Sequence, residues 1–217
     1  MKLLLENWRR FLKEQNGGAY RVYHGAEDAA FPEFQLRSEK TTDPGWFGDG
    51  LYFDTSMRQA ISYAGGSRMA EENVETIENA LKGNKANIIP TSGAIRIINK
   101  TAAPNAGVFV LDLQIKSLYE WKGAGIPSIV QNPYLNKMPE DIAAAIAQKM
   151  QYSSWEELVK AMESPNSADE SEWQKWIARS ATLAVTDLGH DGVRMTRSNG
   201  GAEYVIFDVN SIKNVLK

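Results

Sequence analysis

A glycine-rich stretch at residues 45–54 constrains the fold more than any other part of the chain. It reads Gly-Trp-Phe-Gly-Asp-Gly-Leu-Tyr-Phe-Asp, so glycines alternate with aromatic residues before an apolar triplet. Glycine adopts backbone conformations that other residues avoid, and it lets a ligand approach the main chain closely. The side chains of Leu51, Tyr52 and Phe53 favour a strand. The pattern predicts a turn followed by a strand.

The segment after this strand is expected to be a short helix. Residues 55–64 contain no proline or glycine, and Thr55 or Ser56 can cap the first turn. A strand followed directly by a helix presents Tyr52 and Tyr63, eleven residues apart, from adjacent elements. Two such tyrosines can form the facing walls of a slot for a flat ring. The alternative is that both are ordinary aromatic residues of the core.

The composition is ordinary for a soluble globular protein, with 43% hydrophobic and 24% charged residues among 217. The chain has no cysteine and two histidines, which excludes disulfides, a cysteine nucleophile and a zinc site built on several histidines. A net charge of −3 without a basic run does not favour broad nucleic-acid binding. No apolar stretch is long enough to span a bilayer, so no membrane partner is expected. The lack of cysteine fits a reducing compartment, and we expect a cytoplasmic location.

The N-terminal residues have the pattern of an amphipathic helix. Leu4, Trp8 and Phe11 share one face, and Asn16 with Gly17 provides a C-terminal stop signal. This helix is expected either to dock on the body or to act as a leader. The chain is therefore divided into a helix at 1–16 and one main domain at 17–217.

A block of helices is expected within the main domain at about residues 139–188, as a helical insertion. Proline or serine precedes the first two helices, and apolar residues recur at helical spacing in the third. The segment before the block, residues 119–133, is expected to be irregular. The predicted helices are residues 139–150, 153–162 and about 170–188.

A predicted strand near the N-terminus ends in a histidine that is a candidate for a functional site. Residues 19–25 alternate as a strand does and end at His24 and Gly25. A glycine at this position leaves the backbone N–H and C=O open to a ligand. His24 is either an ordinary hydrogen-bonded residue at a strand end or part of a site.

A second such strand lies near the C-terminus. Residues 203–208 read Glu-Tyr-Val-Ile-Phe-Asp, and Glu203 stands where the polar loop at 196–202 enters this strand. A carboxylate there is either a solvated strand-end residue or an aimed catalytic group. The residue alone leaves both alternatives open.

The order of these signals resembles the ADP-ribosyltransferases. A strand ending in His-Gly, then Gly-Leu-Tyr-Phe with a second tyrosine, then a strand beginning with Glu, is similar to the branch with a His-Tyr-Glu triad. That branch includes diphtheria toxin and the poly(ADP-ribose) polymerases. The turn at 189–193 also resembles small bacterial and phage-borne members. The resemblance covers about a third of the chain and implies an α+β fold, with a split two-sheet β core and surrounding helices.

The chemistry of these enzymes fits the residue types. Breaking the nicotinamide–ribose bond of NAD develops positive charge on the sugar, which a neighbouring carboxylate stabilises. We assign that role to Glu203. The resemblance implies that His24 hydrogen-bonds an NAD ribose and that the backbone of Gly25 pairs with the nicotinamide carboxamide. It also implies that Tyr52 and Tyr63 stack on the two faces of the nicotinamide ring, that NAD is the substrate and that no metal takes part.

Two positions depart from the family pattern. Ala60 stands where the polymerases have a serine that helps to hold the carboxamide. Gly201, two residues before Glu203, replaces the Glu or Gln that marks arginine-modifying members, so arginine is a less favoured acceptor. The loop at 196–202 is expected to face the acceptor, with specificity contacts from Arg197, Ser198 and Asn199.

The sequence as a whole predicts an enzyme that transfers a single ADP-ribose unit from NAD to a macromolecule. A host protein is the expected acceptor, in the cytoplasm of the host if the chain is a phage effector. The alternatives are an NAD glycohydrolase, for which water is the acceptor, and a non-catalytic phage or virion binding component that keeps the fold. RNA 2′-phosphate transfer is less favoured, because it requires basic groups and leaves the tyrosine slot unexplained.

Overall fold

The computed structural model describes residues 20–31, 34, 50–67, 71–98, 103–123, 125–134, 136, 138–164, 167–197 and 200–216. The predicted N-terminal helix at 1–16 lies outside these residues, as do Ser198 and Asn199 of the expected acceptor loop. No helix within the described ranges combines the length and apolar character needed to cross a bilayer.

The described residues form eight strands that pair into one sheet, with helices packed against it. The strands are β1 Tyr20–Ala26, β2 Leu51–Asp54, β3 Ile95–Arg96, β4 Gly107–Leu113, β5 Leu118–Trp121, β6 Gly192–Thr196, β7 Ala202–Ile206 and β8 Ile212–Asn214. The helices are α1 Met57–Tyr63, α2 Glu71–Leu81, α3 Ile126–Gln131, α4 Glu140–Lys149, α5 Trp155–Met162 and α6 Glu170–Asp187, with a short 3-10 helix at Val209–Ser211.

The sheet consists of two halves that meet at a narrow seam between β1 and β2. Neighbouring strands follow the order β3-β4-β1-β2-β7-β6-β5, and β8 also pairs with β4. Strand β1 pairs with β4 along its whole length, whereas its register with β2 is a single pair, Tyr23 opposite Asp54. The predicted α+β architecture with a split β core is confirmed.

The core lies on both faces of this sheet. On one face, α3 to α6 pack over the half that contains β5, β6 and β7, in a cluster that includes Trp121, Trp173 and Val205. On the same face, α1 and α2 cover β1 and β4. The opposite face carries an aromatic cluster that includes Phe53 and Phe109. Burial of this apolar surface, on the order of 25 cal/mol per Å², is the main force that holds the layers together.

The expectation of irregular structure at 119–133 is wrong. Strand β5 begins at Leu118 and pairs in parallel with β6, and α3 follows it with Pro127 in its first turn. A short strand whose partner lies about 70 residues away has no local signal beyond its composition. The glycines and prolines of this segment are typical of turns, so the sequence pattern did not indicate the six-residue helix α3.

Candidate active site

Glu203 lies between two other strands and not at an exposed end of the sheet. It is in register with Asp54 of β2 on one side and with Met195 of β6 on the other. The residue is 8% exposed, so the alternative of a solvated strand-end carboxylate is wrong. A carboxylate buried to this degree needs a charged or hydrogen-bonding partner.

Tyr52 shares one face of the sheet with Glu203. Residues paired across neighbouring strands, and residues two apart along one strand, direct their side chains to the same face. Asp54 pairs with Glu203, and Tyr52 lies two residues before Asp54. The Tyr52 ring is partly buried against the cluster that contains Val205. The structure therefore brings the predicted acid and one predicted aromatic wall together.

Arg197 joins two buried carboxylates on this face. Its Nη2 donates a hydrogen bond to Oε2 of Glu203 at 3.0 Å, and its Nη1 lies 2.6 Å from Oδ2 of Asp54. The contact with Asp54 is an ion pair and not a well-aligned hydrogen bond. Asp54 is 3% exposed, and its Oδ1 accepts a hydrogen bond from the Ser56 N–H at 2.6 Å.

The turn between β6 and β7 explains how Arg197 reaches these groups. Its N–H donates to the Gly201 carbonyl at 2.8 Å, and its carbonyl accepts from the Gly200 N–H at 3.0 Å. Gly200 has a φ of +81°, which favours glycine. Arg197 lies two residues after Met195, which pairs with Glu203, so its side chain extends from the same face.

These contacts act on the pKa of Glu203 in opposite directions. Burial raises the pKa of its carboxyl, the hydrogen bond and charge of Arg197 lower it, and the charge of Asp54 raises it; the net effect is a raised pKa. Burial acts to lower the pKa of the Arg197 guanidinium, but its two acidic partners prevail and raise that pKa. Arg197 therefore stays charged. With both carboxylates ionised, the three groups sum to −1, which favours the development of positive charge nearby.

Gly25 lies under helix α1, on the same face as Tyr52. Tyr23 pairs with Asp54, and strand alternation puts Gly25, two residues after Tyr23, on the face that carries Asp54 and Tyr52. A Cβ at Gly25 would be 1.8 Å from the Ala60 carbonyl oxygen and 2.9 Å from the Ala64 nitrogen. The end of α1, which carries Tyr63, therefore abuts Gly25. This contact leaves no space for a side chain on β1.

Substitution of Gly25 by alanine is expected to destabilise the protein by more than about 3 kcal/mol, beyond the usual range for overpacking. The new methyl group would meet backbone atoms of α1, which cannot rotate away as a side chain can. Gly65→Ala is the matched control: its φ is +79° and nothing lies near the added Cβ, so a cost of about 1 kcal/mol is expected. Urea denaturation measures both. Equal losses in the two variants would contradict close packing at Gly25.

His24 lies on β1 but directs its ring to the other face of the sheet. Its ring centroid is 5.6 Å from that of Phe53 and 5.4 Å from that of Phe34. Its Nδ1 lies 2.7 Å from the Tyr52 carbonyl oxygen, a hydrogen bond that crosses the seam. The structure thus brings His24 to the strand of Tyr52, while strand alternation separates its imidazole from the Glu203 carboxylate. The roles predicted for His24, as a hydrogen-bond partner of an NAD ribose, and for Glu203 stay predictions.

The remaining predicted residues have different positions. Tyr63 is 53% exposed at the end of α1, so it is not a core residue. Ala60 is fully buried, with its backbone against Gly25. The predicted cap Ser56 is confirmed, since its Oγ accepts from the Gln59 N–H at 3.3 Å. Arg197 of the expected acceptor loop contacts Glu203 and Asp54.

Sequence reasoning missed Asp54 and the ion pairs of Arg197. Asp54 was visible as the last residue of the glycine-rich stretch, two after Tyr52, and strand alternation would have placed both on one face. The partners of Arg197 had no such signal. They depend on the pairing of β2 with β7, whose residues are about 150 positions apart. Within the described ranges, no three His, Cys, Asp or Glu side chains are grouped so that they could hold a metal ion.

Comparison with known proteins gives one family. The family model described as "ADP-Ribosyltransferase in polyvalent proteins" matches residues 14–217. No curated protein matches the chain. A crystal structure of an anti-CRISPR protein aligns over 91% of this chain and 96% of that one, at 11% identity and a TM-score of 0.34, which is too low to carry an argument. The family match includes every strand of the site and both acidic residues, and the chain therefore belongs to the family of ADP-ribosyltransferases found in polyvalent proteins.

Proposed function

We propose that the protein is an NAD-dependent mono-ADP-ribosyltransferase that uses the site around Glu203 in the manner of the His-Tyr-Glu branch. The observation that carries the proposal is the buried carboxylate of Glu203 on one face with Tyr52, in contact with Arg197, which also contacts Asp54. When both carboxylates are ionised, the charges of these three groups sum to −1. A site with this charge favours a transition state in which a sugar becomes cationic.

The proposed reaction breaks the bond between ribose C1′ and the pyridinium nitrogen of NAD. Nicotinamide leaves with the bonding electron pair and becomes neutral, while positive charge develops on the ribose. Glu203 stabilises this charge electrostatically, as an acidic group does in glycoside hydrolysis. A nucleophile of the acceptor then bonds to C1′ and releases a proton to solvent. The products are ADP-ribosyl acceptor, nicotinamide and one proton.

The aromatic side chains are proposed to hold the leaving group. Tyr52 is partly buried on the face of the sheet that Gly25 shares, and Tyr63 lies half-exposed at the end of the helix that abuts Gly25. A nicotinamide ring between them would contact aromatic faces and the backbone of Gly25. This arrangement would fix C1′ relative to Glu203 and so convert binding energy into rate. His24, held by the Tyr52 carbonyl, is proposed to orient the dinucleotide from the seam.

We propose a macromolecular acceptor, with a host protein as the favoured class and a single unit transferred. The experiment is incubation of the chain with NAD labelled in the adenosine portion, with and without a host lysate. Free nicotinamide and label retained after denaturation are both measured. We expect nicotinamide release together with protease-sensitive label, and both signals lower by about 10²–10³-fold with Glu203→Gln.

Three results would contradict parts of this proposal. Nicotinamide release without label, even in lysate, would identify water as the acceptor and thus a glycohydrolase. Label that is sensitive to nuclease and not to protease would contradict a protein acceptor. Binding of NAD without nicotinamide release in any condition would contradict catalysis and support a binding component.

A further inference from the structure

A partly exposed arginine that bridges two buried acids is the feature of the site that the triad does not explain. One guanidinium contacts Glu203 through Nη2 and Asp54 through Nη1. A buried ion pair adds little net stability compared with apolar residues of the same size. Stability alone is therefore a weak reason for placing three charges here. A role in controlling Glu203 accounts for the geometry better.

We propose that Arg197 is a positioning residue for Glu203, and that Asp54 is the anchor that holds the guanidinium in place. The inference rests on the proposed function, since it concerns the same carboxylate. Arg197 bonds to Oε2 of Glu203, and an ionised carboxylate has two acceptor oxygens. The hydrogen bond fixes the rotation of the carboxylate, so Oε1 is the oxygen that would meet the sugar.

The anchoring of Asp54 does not depend on Arg197. Its Oδ1 accepts from the Ser56 N–H, which ties the carboxylate to the start of α1. Thr55, which follows Asp54 in the chain, joins β2 to β7. Its N–H donates to the Ala202 carbonyl at 3.0 Å, and its Oγ1 accepts from the Ala202 N–H at 2.9 Å. The backbone thus holds Asp54 and Glu203 side by side, and loss of the guanidinium need not disrupt the sheet.

The groups that face Glu203 can be assigned strand by strand. In the described part of the chain, β2 supplies Asp54 and, two residues before it on the same face, Tyr52. The β6–β7 turn supplies Arg197, and β6 supplies the uncharged Met195. Strand β1 supplies Tyr23 next to Asp54, and burial raises the pKa of that phenol, so it stays neutral. Arg197 is therefore the group that favours the ionised form of Glu203, against burial and Asp54.

The test follows the Glu203 carboxyl itself as well as the reaction. Carboxyl-labelled glutamate gives an NMR titration, in which the Glu203 signal is the one absent from Glu203→Gln. In Arg197→Gln we expect the pKa of Glu203 to rise, because burial and the charge of Asp54 are then unopposed. The acidic limb of the pH profile for nicotinamide release should move to higher pH with it, since activity requires the ionised carboxylate.

Conservative variants separate charge from geometry. Arg197→Lys keeps the charge, so the acidic limb should stay near that of the wild type. An ammonium lacks the planar fork that reaches both acids, so kcat should fall by about ten- to hundredfold, the loss seen when outer partners of metal ligands are removed. Asp54→Asn should lower kcat similarly without moving the limb to higher pH. Arg194→Gln, on the opposite face and paired with Glu120, is the matched control and should change neither quantity.

Two outcomes are decisive. If Glu203 titrates at the same pH in Arg197→Gln as in the wild type, or if Arg197→Lys keeps full kcat, Arg197 does not position Glu203 and the inference is wrong. If the titration moves as expected while the wild-type protein releases no nicotinamide, the control of the Glu203 charge by Arg197 stands and the proposed transferase activity fails.

Discussion

Replacement of Glu203 by glutamine is expected to reduce the rate of nicotinamide release by about 10²–10³-fold, or about 3–4 kcal/mol of transition-state stabilisation. Glutamine keeps the size and one acceptor oxygen but removes the charge that, in the proposed reaction, stabilises the developing cation. The KM for NAD should change by less than about threefold, because the lost interaction forms chiefly in the transition state. Steady-state kinetics at a pH well above the pKa of Glu203 provides the measurement.

The chain contains a matched control for this substitution. Glu120 of β5 pairs with Arg194 of β6, on the face opposite Glu203, and its side chain is about half-exposed. Glu120→Gln removes the same charge from a neighbouring part of the sheet, and a rate within about twofold of the wild type is expected, since an exposed ion pair contributes little. A similar fall in both variants would point to a general loss of charge or stability and would contradict the assignment of Glu203.

The acidic limb of the pH profile for nicotinamide release offers a further test of the role of Glu203. Burial raises the pKa of Glu203, so its protonation, and with it the loss of activity, should begin at higher pH than for an ordinary glutamate. In Glu203→Gln the residual activity should lose this limb. A limb that persists unchanged in the variant would belong to another group.

Truncation of Trp173 to alanine is expected to cost about 3–5 kcal/mol, the range found for buried tryptophan. Trp173 is 5% exposed and belongs to the cluster that joins α6 to the sheet through Val193 and Val205. Its Nε1 also donates to Ser167 Oγ at 2.5 Å. Both the cavity and the unpaired hydroxyl should destabilise the variant. Urea denaturation followed by fluorescence and by circular dichroism measures the loss.

Trp176 is the natural comparison on the same helix. It is 44% exposed and packs edge-on against Trp173, with ring centroids 5.2 Å apart. Trp176→Ala should therefore cost less than about 1.5 kcal/mol. Coincident single transitions by both probes are expected for the two variants. A separate early transition of the helices in Trp173→Ala would show that α4 to α6 form an independent unit.

Sequence patterns located most of the elements that build the site, because the relevant signals are local. The glycines and the apolar triplet predicted β2, Ser56 predicted the start of α1, and helical spacing predicted α4 to α6. The strands that carry His24 and Glu203 were also predicted. These signals depend on neighbouring residues, so no knowledge of the fold was needed.

The interactions that determine the chemistry were not predictable in the same way. The burial of Glu203 depends on its having a strand on each side, and its charge state depends on Arg197 and Asp54. The face on which His24 lies follows from a pairing across the seam. Each is a contact between residues distant in the chain, which spacing and composition do not encode.

The parallel pairing of β5 with β6 limits how far this chain can be shortened. Two parallel neighbours begin at the same edge of a sheet, so the connection from one to the other must return along the full length of the strand, which takes a dozen or more residues. Here residues 122–191 form this connection, and the helices within it also cover the sheet. A smaller relative without these helices would need either a connection without secondary structure or a sheet that ends at β6. In both cases Val193 and Val205 would be exposed to solvent.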